Sequence, residues 1–446
     1  MYTCNETSII SFVEKIKQID RNIASNIFPF NCIKRLCDYS VYSEDPNLTI
    51  FENFLAKKFE QFEDSQISVV KDYMFSNFYS LSFLSLTNCS NIGEYAFVNC
   101  YSLTSVFLPN CTTVGYNAFI HCSSLSMIDL PACTTIGSYA FYQTSLERIS
   151  IPFCTEIPNG CFHETKFSSF EHLSCTSIGA YAFANCNNLS IVNLPECKYI
   201  GADAFNKCPI SVLNCSKCSY IGNGAFSSCY GLSSLDLSSC EYIGSYAFTS
   251  VNTLVSVNLP VCSFVGIHAF EGCTVLSYVN LPTCSIFPSS VFLSCLQLKE
   301  VYINNCTYIG SSCFYNCVQL SQITLSECKE ISNYAFGRCG RLESILLPKC
   351  ESIRSSAFYC CSNLITISLS NLKSLGCSIF YSCSNLKSIF LCGDSSLNYI
   401  HPQAFVGSPV QTAVNGVFAS IYVLSSRYSE YKAGILSSWA SRLVSV

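Results

Sequence analysis

A phenylalanine returns about every 22 residues along most of the chain, and this period is the strongest constraint on the fold. The spacings are 22 or 21 residues except the last, which is 25, and an alanine precedes the ring at eleven sites. Self-similarity with a fixed period of about 20 to 30 residues indicates a solenoid, in which each repeat stacks on its neighbours. The recurring residues are Phe75, Phe97, Phe119, Phe141, Phe162, Phe183, Phe205, Phe226, Phe248, Phe270, Phe292, Phe314, Phe336, Phe358, Phe380 and Phe405.

One complete unit spans residues 103–122. Its Leu103, Val106, Leu108 and Cys111 follow the pattern L-x-x-L-x-L-x-x-N/C, which is the signature of a leucine-rich repeat. The segment from Val106 to Leu108 alternates as a short strand does, and a proline follows this strand in seven repeats, where it ends the pairing because it has no N–H to donate. An aliphatic residue followed by glycine, in ten repeats, predicts a corner where glycine takes a positive φ.

The period predicts an α/β-type repeat solenoid. It is expected to be a right-handed leucine-rich repeat coil of about sixteen turns of 22 residues, with a parallel β-sheet on one face, short helical or irregular segments on the other, and capped ends. We expect an N-terminal helical cap at residues 1–65, the solenoid at 66–408 and a C-terminal strand-helix cap at 409–446. An apolar helical pattern that ends at Phe62 supports the first cap. A strand from Ala419 to Leu424, followed by a short helix with Trp439, would form the second.

Composition excludes several classes of protein. The net charge is −5 and only 12% of residues are charged, so there is no basic surface for nucleic acid. Half of the chain is hydrophobic, yet no run of about 18 apolar residues could span a membrane. The first residues lack the basic start and apolar core of a signal peptide, so the sequence leaves localisation open.

Thirty-three cysteines are present, and most fall in two columns of the repeat. We expect them to be buried free thiols that act as small hydrophobic residues, which would suit a reducing compartment. Cys215 and Cys218 resemble half of a zinc site, but Cys215 replaces a strand leucine and no second C-x-x-C follows. We therefore predict no metal and no cofactor. The columns are Cys89, 111, 133, 154, 175, 197, 218, 240, 262, 284, 306, 328 and 350, and Cys100, 122, 186, 208, 229, 273, 295, 317, 339, 361 and 383.

The repeat resembles that of the BspA-like leucine-rich repeat proteins. Residues 254–276 contain Leu-x-x-Val-x-Leu-Pro, then Val-Gly, Ala-Phe, Cys and Leu, and the likeness extends over about residues 67 to 407. The family repeat is commonly one residue longer and has valine where Cys111 and its equivalents stand. The resemblance implies an adhesin-type role at the cell surface or in secreted form, and it carries no shared catalytic residues.

The outward row of the predicted sheet contains acids and amides, bracketed by two aromatic residues. It is our candidate binding site, for a polar ligand; the alternative is a sheet face that is merely soluble. The five histidines are scattered and no catalytic motif occurs, so we predict no catalytic residues. The candidate binding residues are Asp129, Glu171, Asn193, Asn214, Asp236, Asn258 and Asn280, with Phe107 and Tyr302 at the ends.

The sequence favours a monomeric, non-catalytic recognition module that binds a protein or glycan partner through this face. Two alternatives stay open: a polysaccharide-acting enzyme on a parallel coil, and a structural spacer or fibre without a specific ligand. The enzyme would need two carboxylates about 5–9.5 Å apart. Strand spacing puts Asp129 and Glu171 about 10 Å apart and Glu171 and Asp236 about 14 Å apart.

Overall fold

The computed structural model describes residues 60–393 and 397–446. They form a parallel β-solenoid of about 17 turns with 22-residue spacing and little helix, close to the sixteen turns predicted. Most coils contain a front strand of three or four residues and a rear strand of two, joined by turns. The described chain divides into a first unit, residues 60–154 with 164–166, and a second unit, residues 155–163 with 167–446.

The first unit has one front sheet and one rear sheet, both parallel. Strands of neighbouring coils pair in register, so that Leu84 lies opposite Val106. The front strands are Gln61–Glu63, Phe83–Ser85, Ser105–Phe107, Met127–Asp129 and Arg148–Ser150, and the rear strands are Val69–Val70, Asn91–Ile92, Thr113–Val114 and Thr135–Ile136.

The second unit repeats this plan, but its front strands form three separate sheets because residues 232–237 and 321–325 contain no strand. The front sheets are Ser169–Glu171, Ile191–Asn193 and Val212–Asn214; then Ser256–Asn258, Tyr278–Asn280 and Glu300–Tyr302; then Ser344–Leu346, Thr366–Ser368, Ser388–Leu391, Ser420–Val423 and Leu443–Ser445. The rear strands are Glu156–Ile157, Ser177–Ile178, Tyr199–Ile200, Tyr220–Ile221, Tyr242–Ile243 and Phe264–Val265, then Ile286–Phe287, Tyr308–Ile309, Glu330–Ile331, Ser352–Ile353, Ser374–Leu375 and Tyr399–Ile400.

The periodic phenylalanines form a stack inside each unit. Phe183 and Phe205 stack with ring centroids 5.2 Å apart and planes 6° apart, and both rings are fully buried. The alanine before each ring, such as Ala204, is also buried. Burying one such ring contributes about 1.5–3 kcal/mol. The Ala-Phe pairs therefore line the interior of each coil and stabilise it.

The backbone around each phenylalanine pairs with the next coil. The N–H groups of Tyr181, Phe183 and Asn185 donate to carbonyls one coil ahead, at 2.8–2.9 Å. This alternation is possible because the residues two before and two after each ring, from Phe75 to Phe380, have φ between 49° and 69°. Tyrosine, asparagine and serine occupy many of these left-handed positions, which the sequence analysis did not identify.

The glycine that follows the aliphatic residue of the rear strand has a different role from the one predicted. None of these ten glycines has a positive φ in the described chain, so the expected left-handed corner is wrong. Instead the backbones of neighbouring coils meet there. A Cβ at Gly201 would lie 2.6 Å from the nitrogen of Ala180 and 2.7 Å from the carbonyl carbon of Gly179. Close approach, not φ, requires glycine at this position.

The chain ends agree only in part with the expected caps. Residues 1–59 lie outside the described part, and Phe62, predicted in a helical pattern, lies in a front strand opposite Leu84. At the other end, the predicted strand is present as Ser420–Val423, followed by a helix at Ser425–Ala433 and a 3₁₀ helix at Ser437–Arg442. Trp439 packs edge-on against Phe405, with centroids 4.9 Å apart. The cap boundaries stay predictions.

Candidate interaction face

Most front strands present their first and third side chains outward and turn the middle one inward. In Ile191–Asn193, Ile191 is exposed, Val192 is fully buried and Asn193 is half-buried. The face therefore has two outward rows, and the residues predicted from the sequence all belong to the third-position row. The first-position row adds exposed Ile191 and Val212 beside the predicted amides. The same two-residue alternation could have identified them.

Three predicted residues form a hydrogen-bonded ladder. The Nδ2 of Asn193 donates to Oε1 of Glu171 at 2.7 Å, and the Nδ2 of Asn214 donates to Oδ1 of Asn193 at 2.7 Å. Their strands pair in register, which holds the three side chains in line. These bonds use one of the two N–H groups of each asparagine, so the ladder keeps the capacity to donate and accept outward. We call Glu171, Asn193 and Asn214 the acid–amide ladder.

A second pair of amides lies in the next front sheet. The Nδ2 of Asn280 donates to Oδ1 of Asn258 at 2.8 Å, and Tyr302 lies opposite Asn280 in register. The ring of Tyr302 is tilted 47° against that of Tyr278, with centroids 5.6 Å apart. Tyr278 is a first-position residue that the sequence analysis missed.

The remaining predicted residues do not join these groups. Asp236 is exposed in residues 232–237, which have no front strand. Phe107 and Asp129 lie opposite each other in the first unit, and both are exposed. The predicted single ribbon is therefore divided into the acid–amide ladder, the Asn258–Asn280 pair with Tyr302, the isolated Asp236 and a separate pair in the first unit.

The cysteine columns are structural. All described cysteines except Cys360, Cys377 and Cys392 are buried, as predicted. In one column the thiol of Cys111 donates to the carbonyl of Thr113 at 3.3 Å, and in the other the thiol of Cys122 donates to the carbonyl of Phe97 at 3.2 Å. Burial raises the pKa of Cys111 to about 12, so this thiol is protonated at neutral pH and is a poor nucleophile.

Metal ligation finds no support in the described ranges, where no group of three or more His, Cys, Asp or Glu side chains could hold an ion. Cys215 and Cys218 are both buried, and the thiol of Cys218 donates to the carbonyl of Tyr220 at 3.3 Å. Among the residues that the structure describes, no helix has the length and apolar character needed to cross a bilayer.

The sequence matches the BspA type leucine rich repeat region in six copies, over residues 49–165, 155–276, 241–350 and 307–416. The chain belongs to this family. Such BspA-type proteins are generally non-enzymatic, and their repeats are consistent with a protein-interaction module. No curated protein matches this BspA-type chain.

Comparison with solved structures finds leucine-rich repeat proteins that are similar to this chain. A leucine-rich repeat protein from Bacteroides ovatus is 23% identical, with a TM-score of 0.54, and the match covers 85% of this chain and 88% of that one. A leucine rich cell surface protein from Faecalibacterium prausnitzii is also 23% identical, with a TM-score of 0.35 and coverage of 72% and 82%. At these identities the likeness to the Bacteroides ovatus protein establishes the solenoid fold alone.

Proposed function

We propose that this BspA-type chain is a recognition module that binds a protein or glycan partner through its front strands and catalyses no reaction. The acid–amide ladder carries the proposal. Its hydrogen bonds hold Glu171, Asn193 and Asn214 in one geometry, so a partner would not have to order them on binding. The adhesin-type role implied by the family would use such a face.

The ladder has the composition of a binding surface. Exposed Ile191 and Val212 lie along one side of it, so apolar side chains of the first-position row stand beside polar side chains of the third-position row. A partner could bury the aliphatic side chains while its own polar groups bond to the amides. Since neighbouring strands are about 4.8 Å apart, these contacts would repeat along an extended ligand.

The spacing of Glu171 and Asp236 does not suit the polysaccharide-acting enzyme. Asn193 and Asn214 lie between Glu171 and Asp236 in the third-position row, which separates the two acids by about 14 Å at the usual strand spacing. A glycosidase needs its carboxylates about 5–9.5 Å apart. The alternative of a spacer without a ligand is an outcome of the experiment below.

The test uses the full chain, immobilised and probed with a panel of purified extracellular proteins and a glycan array. One variant carries Glu171→Ser, Asn193→Ser and Asn214→Ser. Its matched control carries Glu156→Ser, Lys198→Ser and Glu241→Ser, which change three exposed charged residues at or beside rear strands. We expect the ladder variant to weaken a captured partner by about tenfold or more and the control to retain it.

Three results would contradict the proposal. They are capture of no partner in either panel, equal binding by the ladder variant and the parent, and depolymerisation of a polysaccharide by the purified chain. Near-identical circular dichroism of the two variants would show that lost binding reflects the face and not the fold.

A further inference from the structure

We propose that the front sheet of Ser256–Asn258, Tyr278–Asn280 and Glu300–Tyr302 holds a subsite for a neutral pyranose unit of a polysaccharide. The inference rests on the proposed recognition function and names its ligand class. It depends on two aromatic rings, a pair of amides and one carboxylate that this sheet brings together. Two of these residues, Tyr278 and Glu300, come from the first-position row.

The two tyrosine rings leave aromatic surface open. Tyr278 and Tyr302 are tilted by 47°, so neither ring covers the other face to face, and Tyr302 is 45% exposed. The rear strands differ: Tyr220 and Tyr242 stack with centroids 4.5 Å and planes 7° apart. Stacked rings cover each other's faces and present their edges. The C–H face of a pyranose packs against an aromatic face, whose π electrons are its negative surface, so the front tyrosines suit a sugar and the rear ones do not.

The polar groups next to these rings suit sugar hydroxyls. The 2.8 Å bond between Asn280 and Asn258 fixes both amides, and each amide can still donate or accept outward. Glu300 lies opposite Tyr278 in register and is exposed. Amides exchange hydrogen bonds with hydroxyls that both donate and accept, and a carboxylate accepts from them. The sheet therefore offers the two kinds of contact that a pyranose requires.

Charge selects a neutral sugar over an acidic one. Outward positions of the second unit contain the carboxylates of Glu171, Asp236 and Glu300, which disfavour uronate or sulfate groups laid along the face. Lys299, directly before Glu300, is the basic side chain nearest to the subsite in sequence. Its ammonium group would attract an acidic sugar. Acidic oligosaccharides are therefore an arm of the test.

The test is isothermal titration of the full chain with four neutral hexasaccharides, cellohexaose, laminarihexaose, maltohexaose and mannohexaose, and with hexagalacturonate. Tyr302→Ser removes the ring, and Tyr302→Phe keeps its face. Tyr399→Ser is the matched control, because Tyr399 is a similarly exposed tyrosine of a rear strand. We expect at least one neutral hexasaccharide to bind and hexagalacturonate to bind at least about tenfold more weakly. Tyr302→Ser should weaken binding about tenfold or more, Tyr302→Phe less than about threefold, and Tyr399→Ser not at all.

The subsite is overturned if no neutral hexasaccharide binds at about 5 mM, if Tyr302→Ser binds as tightly as the parent, or if hexagalacturonate binds as well. If Tyr302→Ser does not fold, Tyr302→Phe together with Asn280→Ala decides the matter, since loss of the amide should weaken binding while the ring is kept. Capture of a protein through the acid–amide ladder, with no neutral sugar bound, would overturn the subsite and leave the proposed function intact.

Discussion

At the residue scale, the backbone requirements of the coil could not be obtained from residue types. Glycine after the rear strand suggested a positive φ, but the structure places it where two coils touch. The left-handed conformation belongs instead to positions such as Tyr181 and Asn185. Asparagine adopts this region more readily than most residues and tyrosine does not, so composition gives no consistent signal. The left-handed backbone at these positions is required by hydrogen bonding to the next coil, and that pairing exists only in the folded chain.

Gly201→Ala is the first prediction, because it tests close approach without a change of φ region. The added methyl group would meet the rigid backbone at Ala180 and Gly179, 2.6–2.7 Å away, so we expect a loss of about 2 kcal/mol or more in the free energy of unfolding. Gly340→Ala is the control, since a Cβ there would have only the hydroxyl oxygen of Ser362, 3.8 Å away, within reach. Urea denaturation of both variants is the measurement. Equal stability of the two would refute the role assigned to Gly201.

We predict that the folded chain loses stability at alkaline pH because of its buried thiols. Burial raises the pKa of Cys262 to about 12, whereas a thiol in the unfolded chain titrates near about 8.5. Above pH 8.5 or so the unfolded chain releases protons that the folded chain keeps. Stability that is full below about pH 8.5 is therefore lost as the pH rises toward 12, by up to about 1.4 kcal/mol per pH unit for each such thiol.

Cys262→Ala should make this dependence shallower by about one proton, measured as unfolding free energy in urea between about pH 8 and 10 with a reductant present. Val257→Ala is the control, because it also removes buried atoms but no titrating group, and its slope should match that of the parent. An unchanged slope in Cys262→Ala would mean that this thiol does not titrate differently on unfolding.

At the element scale, aromatic stacking supplements the short rear strands. Each has only two residues, and the rings of Tyr199, Tyr220, Tyr242 and Phe264 stack in succession with centroids 4.8, 4.5 and 4.5 Å apart. A strand of two residues forms few hydrogen bonds with its neighbours, so the ring contacts add to the stability of the packing between coils. The sequence places aromatic residues at this position in successive repeats, but the period does not by itself predict that their rings stack.

Replacing Tyr220 by leucine should destabilise the solenoid, since it removes two stacked pairs at once while apolar bulk remains. Each aromatic pair contributes about 0.5–1.5 kcal/mol beyond its buried area, so a loss of about 1–3 kcal/mol is expected. Tyr399→Leu serves as the comparison, because Tyr399 pairs across the rear sheet with Ser374, which has no ring, and its loss should be under about 0.5 kcal/mol. The free energy of unfolding in guanidinium chloride measures both. If the two changes cost the same, stacking contributes little here.

At the scale of the whole molecule, the period predicted the solenoid architecture, and the motifs within the repeat supplied the family resemblance. Neither predicted the interruptions of the front sheet. A 22-residue repeat with fixed apolar positions determines which groups face inward, and the acid and amide residues of the front row follow from alternation. The missing front strands at residues 232–237 and 321–325 do not follow from the pattern. Leu232 and Leu237, and Leu320 and Leu325, stand at the expected apolar positions and are buried. The apolar pattern of the repeat is therefore kept in these two coils, although their front segments do not form strand hydrogen bonds.

Deletion of one whole coil tests whether stability is a sum over neighbouring coils. Removing residues 254–275 restores the 22-residue spacing, so that Phe248 meets Phe292 and Tyr242 meets Ile286 in the places of the lost partners. Because every kind of contact between coils is kept, we expect a folded chain whose urea m-value falls in proportion to the lost surface. Removing only residues 254–264 instead places residues 267–269, from the turn before Phe270, at the front-strand position. This half-coil deletion should lose cooperative unfolding and its β-type circular dichroism. If the whole-coil deletion also loses both, the coils of the second unit are not interchangeable neighbours, and the chain folds as one indivisible structure.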